Sequence, residues 1–568
     1  MRVWRKRSPE PQVEKKVVLI VVRTLTCCDR VRDILPLCDS DRRLEIHWVV
    51  EPGSAYRDGV DDYLKNLDVR LLRWAQARRR RFDLILAAHV DRRLGRLRGP
   101  IFVFPHGAGF NRILPKRTKS VVEPVGLSRH EHRTLLGRLV ASVVGLSHPD
   151  QKAQLANAVP GAEHRSRVIG DPTFDRITAN MPLREEFRRG LGVAPWQRLV
   201  VVTSTWGDHC LVKSPGLVDQ LLSQLPQDEF KVALVLHPNV WRLHGEATVR
   251  AHFRDALDSG LLLLKHDDGW QVGIVAGDIC IGDHGSVAFY AAALGRPFLK
   301  AVAAPADLLR ESPTARFIEA ATPVDRDSDL HQQILGAMSR HDPAELIAIT
   351  AKSLGLSGDN GVTFQRTVYE LLDLTPPALP RVLRYKAPQP IIGDEMVSVL
   401  LTLDVSATNA NAGRVDIRRY PVILERHHPP DDRRDYVLLG KDTEVDTRLR
   451  QSAEIVVSAV RLGEQEALGW MKARLESTGV KLLVAALSDT RCVLRLRDGP
   501  LFEANTTPLT ASGTSPPDPW ITAAAVYAWL VEGGTFDQPV DLVIRLTDSP
   551  MRDIGISVTT LFGSALTP

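Results

Sequence analysis

The 568-residue chain is poor in cysteine, has no strong excess of either charge, and contains no long apolar run. Its six cysteines, Cys27, Cys28, Cys38, Cys210, Cys280 and Cys492, form no CxxC pair and are too sparse for a disulfide scaffold. A reducing, cytoplasmic setting is the expectation. A formal net charge of +5 over this length is too small to argue for wholesale nucleic-acid binding. No segment approaches the roughly 20 apolar residues of a membrane span. The run Val17–Val22 is too short for a signal-peptide core and is followed by Arg23. Any membrane contact is therefore expected to be peripheral, at the inner face. Three nucleotide and hydrolase signatures are also missing: the GxxxxGK[ST] phosphate loop, a strand followed by GxGxxG, and a GxSxG elbow. Their absence argues against a P-loop NTPase, a Rossmann dehydrogenase and a serine hydrolase.

What is present is the composition of globular protein, 44% hydrophobic and 25% charged, at a length fit for three or four domains. The charge is uneven. The first 120 residues hold about 27 basic and about 14 acidic side chains, so the remainder is mildly acidic. Residues 1–14 read as a basic arm. The clusters Arg78 to Arg81, Arg92-Arg93, and Arg112, Lys116, Arg117 and Lys119 suit an anionic or phosphorylated acceptor, or an anionic membrane face; Arg78 to Arg81 equally suit a solvated helix face.

Short apolar runs alternate with helical stretches, the pattern of parallel sheets covered by helices. Strands are expected at 17–22, 44–50, 82–88, 101–104 and 140–145, closing at the turn-rich 168–175. A second series follows at 199–203, 231–236, 261–264 and 278–281. The expected organisation is an acceptor-side αβ lobe over 15–175, a donor-side αβ lobe over 176–375, a Pro-rich linker over 376–395, and a separate α+β domain over 396–568. In the last, strands are expected at 397–403, 415–424, 481–486, 492–496 and 540–546, helices near 448–475 and 520–531, and a loop at 506–519. Two facing αβ lobes create a cleft at the carboxyl ends of their strands, where this architecture holds ligands.

Four loops carry candidate chemistry, each after an expected strand. Phe104-Pro-His-Gly-Ala-Gly109 sets His106 just past a strand with Gly107 beside it, fit for a general base or for a tight structural turn. Thr203, Ser204, Thr205 and Trp206 offer hydroxyls and a ring for phosphate oxygens and a base or sugar, or simply cap the next helix. His237-Pro238 ends another strand, where a donor histidine can neutralise phosphate charge or, as a lone histidine beside proline more often does, serve structure alone. Gly282-Asp-His-Gly-Ser286 runs into an apolar helix that leaves through Gly295-Arg-Pro297. The amides at that helix start, with Ser286, suit a pyrophosphate. Asp283 and Gly285 belong to the same loop; Asp283 suits a donor hydroxyl or a helix cap. No metal site is expected: His427-His428-Pro-Pro-Asp-Asp432 has no standard ligand spacing and reads as a polar turn.

In this order, His106-Gly107, Ser204-Thr205-Trp206, His237-Pro238, and Asp278 through Asp283 to Ser286 with Gly295 and Pro297 resemble the GT-B glycosyltransferase superfamily, most closely its CDP-glycerol glycerophosphotransferase branch, the teichoic-acid primases and polymerases. Gly170-Asp171-Pro172 with Phe174-Asp175 resembles the crossing segment of nucleotide-sugar 2-epimerases. The resemblance runs from about Val17 to Leu374 and leaves out the C-terminal part. It implies two facing Rossmann-like lobes and transfer of a glycerol-phosphate-like group from a nucleoside diphosphate to an acceptor hydroxyl, in cell-envelope polymer or glycoconjugate synthesis. His106 would be the base and His237 the stabiliser of the leaving pyrophosphate, with no metal or other cofactor. Thr203 to Trp206, Asp283, Gly285, Ser286 and Gly107 would line the donor; Arg112, Lys116 and Arg117 would serve the acceptor. Pro105 and His284-Gly285 depart from the family's usual residues, which leaves a nucleotide-sugar donor open, as well as a non-catalytic nucleotide-binding module.

Overall fold

The computed structural model describes residues 15–53, 59–111, 125–207, 210–211, 216–303, 308–355, 358–377, 382–394, 396–428, 434–477, 480–508, 519–547 and 553–561. The basic arm 1–14 and the cluster Arg112, Lys116, Arg117 and Lys119 lie outside them.

The strands of the described residues form two parallel sheets and one barrel. The first sheet contains β1 (Lys16–Val22), β2 (Leu44–Val50), β3 (Leu71–Leu72), β4 (Leu84–Ala87), β5 (Ile101–Val103), β6 (Val143–Leu146) and β7 (Ser166–Val168), in the order β3-β2-β1-β4-β5-β6-β7. The second contains β8 (Arg198–Ser204), β9 (Phe230–Leu236), β10 (Leu262–Leu264), β11 (Ile279–Gly282), β12 (Phe298–Lys300) and β13 (Thr322–Pro323), in the order β10-β9-β8-β11-β12-β13. Both orders begin in the middle, run outward, and then reverse to the other side of the first strand. That reversal is the doubly wound Rossmann-like pattern, which opens a crevice at the carboxyl ends of β1 and β4 in one lobe and of β8 and β11 in the other. Continuous apolar runs form these strands because both faces are covered; Leu19 to Val22 and Leu199 to Val202 are all at most 1% exposed.

Buried ion pairs and aromatic packing join the lobes. Helix α1 (Leu25–Ile34) follows β1, and its Arg30 donates to Asp171 at 2.6 Å, with both side chains buried. Asp171 caps α2 (Pro172–Ala179), the helix that crosses to the second lobe, and also accepts from Tyr290 at 2.7 Å. Arg176 of α2 returns to Asp33 of α1 at 2.7 Å. The chain then comes back: α3 (Asn360–Leu372) ends the second lobe in sequence, yet Phe364, Val368, Tyr369 and Leu372 are buried in the first lobe's core. Residues 382–394 contain no helix or regular strand. They do not hang free, because Tyr385 is buried in the second lobe's core and Ile391 bridges Leu263.

The C-terminal part combines strands and helices, as α+β implies, but its strands close on themselves, which the sequence did not suggest. It is a closed nine-stranded barrel of β14 (Ser398–Asn409), β15 (Ala412–Pro421), β16 (Val437–Lys441), β17 (Ile455–Val457), β18 (Leu482–Ala486), β19 (Arg491–Leu496), β20 (Leu501–Pro508), β21 (Val540–Arg545) and β22 (Ile554–Leu561). Antiparallel β14–β16 pairing closes it. Helix α4 (Pro519–Val531) is apolar all round because it fills the barrel: Trp520 to Trp529 are buried among strand residues such as Val415, Leu482, Leu494 and Val540. The expected helical stretch near 448–475 is broken by β17, and the loop expected at 506–519 begins as the end of β20; residues 509–518 lie outside the described residues. The barrel docks on the second lobe through Arg419, whose guanidinium donates to both carboxylate oxygens of Asp228 at 2.7 and 2.6 Å.

Candidate active site

Parallel strands deliver their next residues to one edge of the sheet, so the loops after β5, β8, β9 and β11 are where the sequence placed its candidates. The loop after β5 reaches the other lobe. Ala108 is buried in the second lobe's core cluster, and a Cβ built on Gly107 would lie 3.9 Å from Cβ of Ser286. A glycine at 107 thus lets the two lobes' loops approach without a side chain between them. His106, one residue earlier, is exposed. Its imidazole is open to solvent while protein crowds it from several sides. That crowding, followed by the nearby charges of His89 and Arg30, holds it below the ordinary histidine value. Such a side chain is neutral at pH 7 and able to take a proton.

Across the cleft, Ser286 is exposed at the start of α5 (Ser286–Ala293), with Gly285 as its half-buried cap. The first amides of that helix lack intrahelical acceptors and carry the positive end of the dipole. Asp283 is fully enclosed. Its carboxylate accepts from the amides of Thr205 at 2.7 Å, Leu211 at 3.2 Å and Gly285 at 3.0 Å, tying the loop after β8 to the loop after β11. In the structure Asp283 shapes both loops from behind. Thr203, Ser204 and Thr205 are buried at the end of β8, and Ser204 donates to the Thr205 carbonyl at 3.0 Å. Trp206 is half-buried, with its ring centroid 6.0 Å from that of His237.

His237 caps the helix Pro238–His244: its Nδ1 accepts from the Asn239 amide at 3.0 Å. An accepting Nδ1 fixes the neutral tautomer with the proton on Nε2, so the ring is set as a donor on its other side. Pro238 supplies the fixed φ of a first helical turn and has no amide to leave unsatisfied.

The remaining sequence candidates are elsewhere. Arg78, Arg79, Arg80 and Arg81 are exposed, but they precede β4, whereas the cleft lies past its carboxyl end. They sit at the opposite edge of the sheet, so they cannot line the same cleft as His106. Arg93, past β4, is half-buried against Asp91. One group of potential metal ligands lies among the described residues: Asp29, His266 and Asp267 bring ligand atoms within 4.8 Å of one another. Arg32 already pairs with Asp267 at 3.1 Å, and its charge opposes a cation there.

A constellation that the sequence did not suggest occupies the first lobe's carboxyl edge. Cys27 of α1, Glu51 after β2 and His89 after β4 come together, with His89 Nε2 2.9 Å from Glu51 and His89 Nδ1 4.0 Å from the Cys27 sulfur. They are 24 and 38 residues apart in sequence and are joined only by the β2-β1-β4 order.

No family model matches the chain, and no curated protein does. Solved structures do. A CDPG-soaked variant of the wall teichoic acid polymerase TagF is similar at 10% identity and a TM-score of 0.44, covering 63% of this chain and 89% of that one. UDP-GlcNAc 2-epimerase from Neisseria meningitidis, bound to UDP-GlcNAc, is similar at 14% identity and 0.40, covering 62% and 100%. S. aureus MnaA with UDP gives 12% and 0.40, covering 64% and 99%. The doubly wound form of the two lobes rests on their sheet orders and not on these likenesses.

Proposed function

We propose that the two-lobed part of the protein is a transferase that moves a glycerol-phosphate-like group from a nucleoside diphosphate of the CDP-glycerol type to an acceptor hydroxyl. The observation that carries this reading is the meeting of the two lobes' loops, Gly107 beside Ser286, which brings an exposed, neutral His106 next to a helix start suited to phosphate. In the reaction, the acceptor oxygen attacks the phosphorus that carries the glycerol, and His106 takes the hydroxyl proton. The bond to the other phosphate breaks, and the nucleoside monophosphate leaves with the electron pair. His237, donating through Nε2, and the amides at Ser286 offset the charge that develops on the leaving phosphate. Trp206 offers a flat surface for the base, and Asp283 holds both donor loops in place. Cell-envelope polymer or glycoconjugate synthesis is the setting that the family resemblance suggests. No helix among the described residues is long and apolar enough to cross a membrane.

Thermal shift and nucleotide release with CDP-glycerol, CDP-ribitol and common UDP and GDP sugars test this reading. It predicts release of CMP from CDP-glycerol in the presence of an acceptor. A preference for a sugar nucleotide would move attack from phosphorus to the anomeric carbon on the same scaffold. Stabilisation by a nucleotide without any turnover would make the cleft a binding module.

A further inference from the structure

We propose that Cys27, together with His89 and Glu51, is a nucleophilic thiol site that reacts with small hydroperoxides. The three side chains form a nucleophile, a proton carrier and an orienting carboxylate in series. Glu51 is fully buried and holds His89 Nε2 at 2.9 Å, which directs the other ring nitrogen to the sulfur at 4.0 Å. The Thr24 hydroxyl donates to the sulfur at 3.3 Å, and Cys27 lies in the first turn of α1, where the helix dipole favours an anion. The Ala88 carbonyl, 3.6 Å from the sulfur, is the acceptor that a protonated thiol would use.

Electrostatics agrees with the geometry. Burial alone would raise the Cys27 thiol, but the hydrogen bond and charge of His89, with help from Thr24, hold it below the ordinary thiol value. Burial likewise opposes a charged His89, yet Cys27 and Glu51 push it up to about 9. The other cysteines with a resolved shift go the opposite way: burial raises Cys28, Cys38 and Cys280.

Access selects the reagent. Cys27 is only 2% exposed, which bars bulky disulfides and limits the reagent to an oxidant of nearly the size of water. The thiolate attacks one peroxide oxygen and the O–O bond breaks. The leaving oxygen takes the proton from His89 Nδ1, giving a sulfenic acid on Cys27 and water or an alcohol.

The test uses the full-length protein. It is exposed briefly to hydrogen peroxide, then unfolded in the presence of dimedone to trap sulfenic acids, and each cysteine is followed by peptide mass spectrometry. Exposure alone would put Cys210 (6%) and Cys38 (5%) ahead of Cys27. The triad predicts the reverse, with Cys27 tagged at least about tenfold faster than either. Glu51→Gln keeps the side-chain volume, and His89→Ala removes the proton carrier; each should slow Cys27 by about tenfold and leave the slow cysteines as they are. Circular dichroism confirms that the variants fold, and Glu51→Gln decides the matter alone if His89→Ala does not. Tagging of Cys210 or Cys38 as fast as Cys27, or an unchanged Cys27 rate in Glu51→Gln, overturns the proposal. Because the readout is a mass, it is independent of any donor or acceptor.

Discussion

Replacing Asp283 with Asn separates a residue that shapes the site from one that touches the donor. Asp283 is 0% exposed, and its two carboxylate oxygens accept from three backbone amides, those of Thr205, Leu211 and Gly285. Hydrogen bonds to a charged acceptor contribute about 1.5–3 kcal/mol each. An asparagine has one accepting oxygen. Its best orientation keeps that oxygen on Thr205 and Leu211, and it then turns an NH2 toward the Gly285 amide. One charge-assisted bond is lost, two donors oppose each other, and the surviving bonds weaken, for a net destabilisation of about 2–4 kcal/mol. Urea unfolding at constant slope reads this as a fall in midpoint. The loops after β8 and β11 would loosen together, so donor KM should rise as well. If Asp283→Asn unfolds within about 0.5 kcal/mol of the parent while donor affinity collapses, the reasoning is refuted and Asp283 is a direct donor contact.

Three further outcomes follow from other parts of the molecule. Because the His106 imidazole is held below its ordinary value, the base stays neutral as pH falls through 6.5, so the acid limb of kcat/KM should lie below that of a free histidine; an acid limb at or above 6.5 would contradict the assignment. Gly170 has φ +66°, and a Cβ there would come to 1.7 Å of Asn360 Oδ1, so Gly170→Ala should cost about 3 kcal/mol or more, whereas Gly161→Ala, with φ +90° and no atom within 4 Å, should cost only about 1–2 kcal/mol in unfolding experiments. Arg419→Ala leaves the buried Asp228 without its fork and should lower the stability of barrel docking by about 3 kcal/mol, seen as a separate, earlier unfolding transition or faster proteolysis between the two bodies.

The sheets were legible where strands are buried on both faces. The expected strand at 44–50 matches β2, that at 199–203 falls one residue short of β8 at each end, and that at 231–236 starts one residue after β9, because unbroken runs of Val, Ile and Leu leave little ambiguity. The edge strands β3 and β13, two residues each, carry no pattern to detect. In the barrel, β20 ends in Thr506-Thr-Pro508, which reads as the start of a loop until β22 pairs with it. Helix α4 was visible as an apolar helix, but its enclosure by nine strands was not, since periodicity does not say what covers a helix.

The candidate site divides in the same way. Its loops were found because glycine, histidine and serine directly after a buried strand are conspicuous. Side-chain roles were less accessible: Asp283 has the residue type of a donor contact, and only its burial behind two loops shows what it holds. Arg78 to Arg81 were conspicuous as charge, yet their side of the sheet depends on which end of β4 they precede. Cys27, Glu51 and His89 carried one usable signal, that each follows the carboxyl end of an expected strand, and their meeting required the strand order.

The most direct measurement is nucleotide release by His106→Ala beside the parent protein, with donor binding measured on both samples. The parent should release nucleoside monophosphate from its preferred donor, and the variant should bind this donor equally well but release the nucleotide at least about a hundredfold more slowly. Full turnover by His106→Ala would contradict the role of His106 as the base.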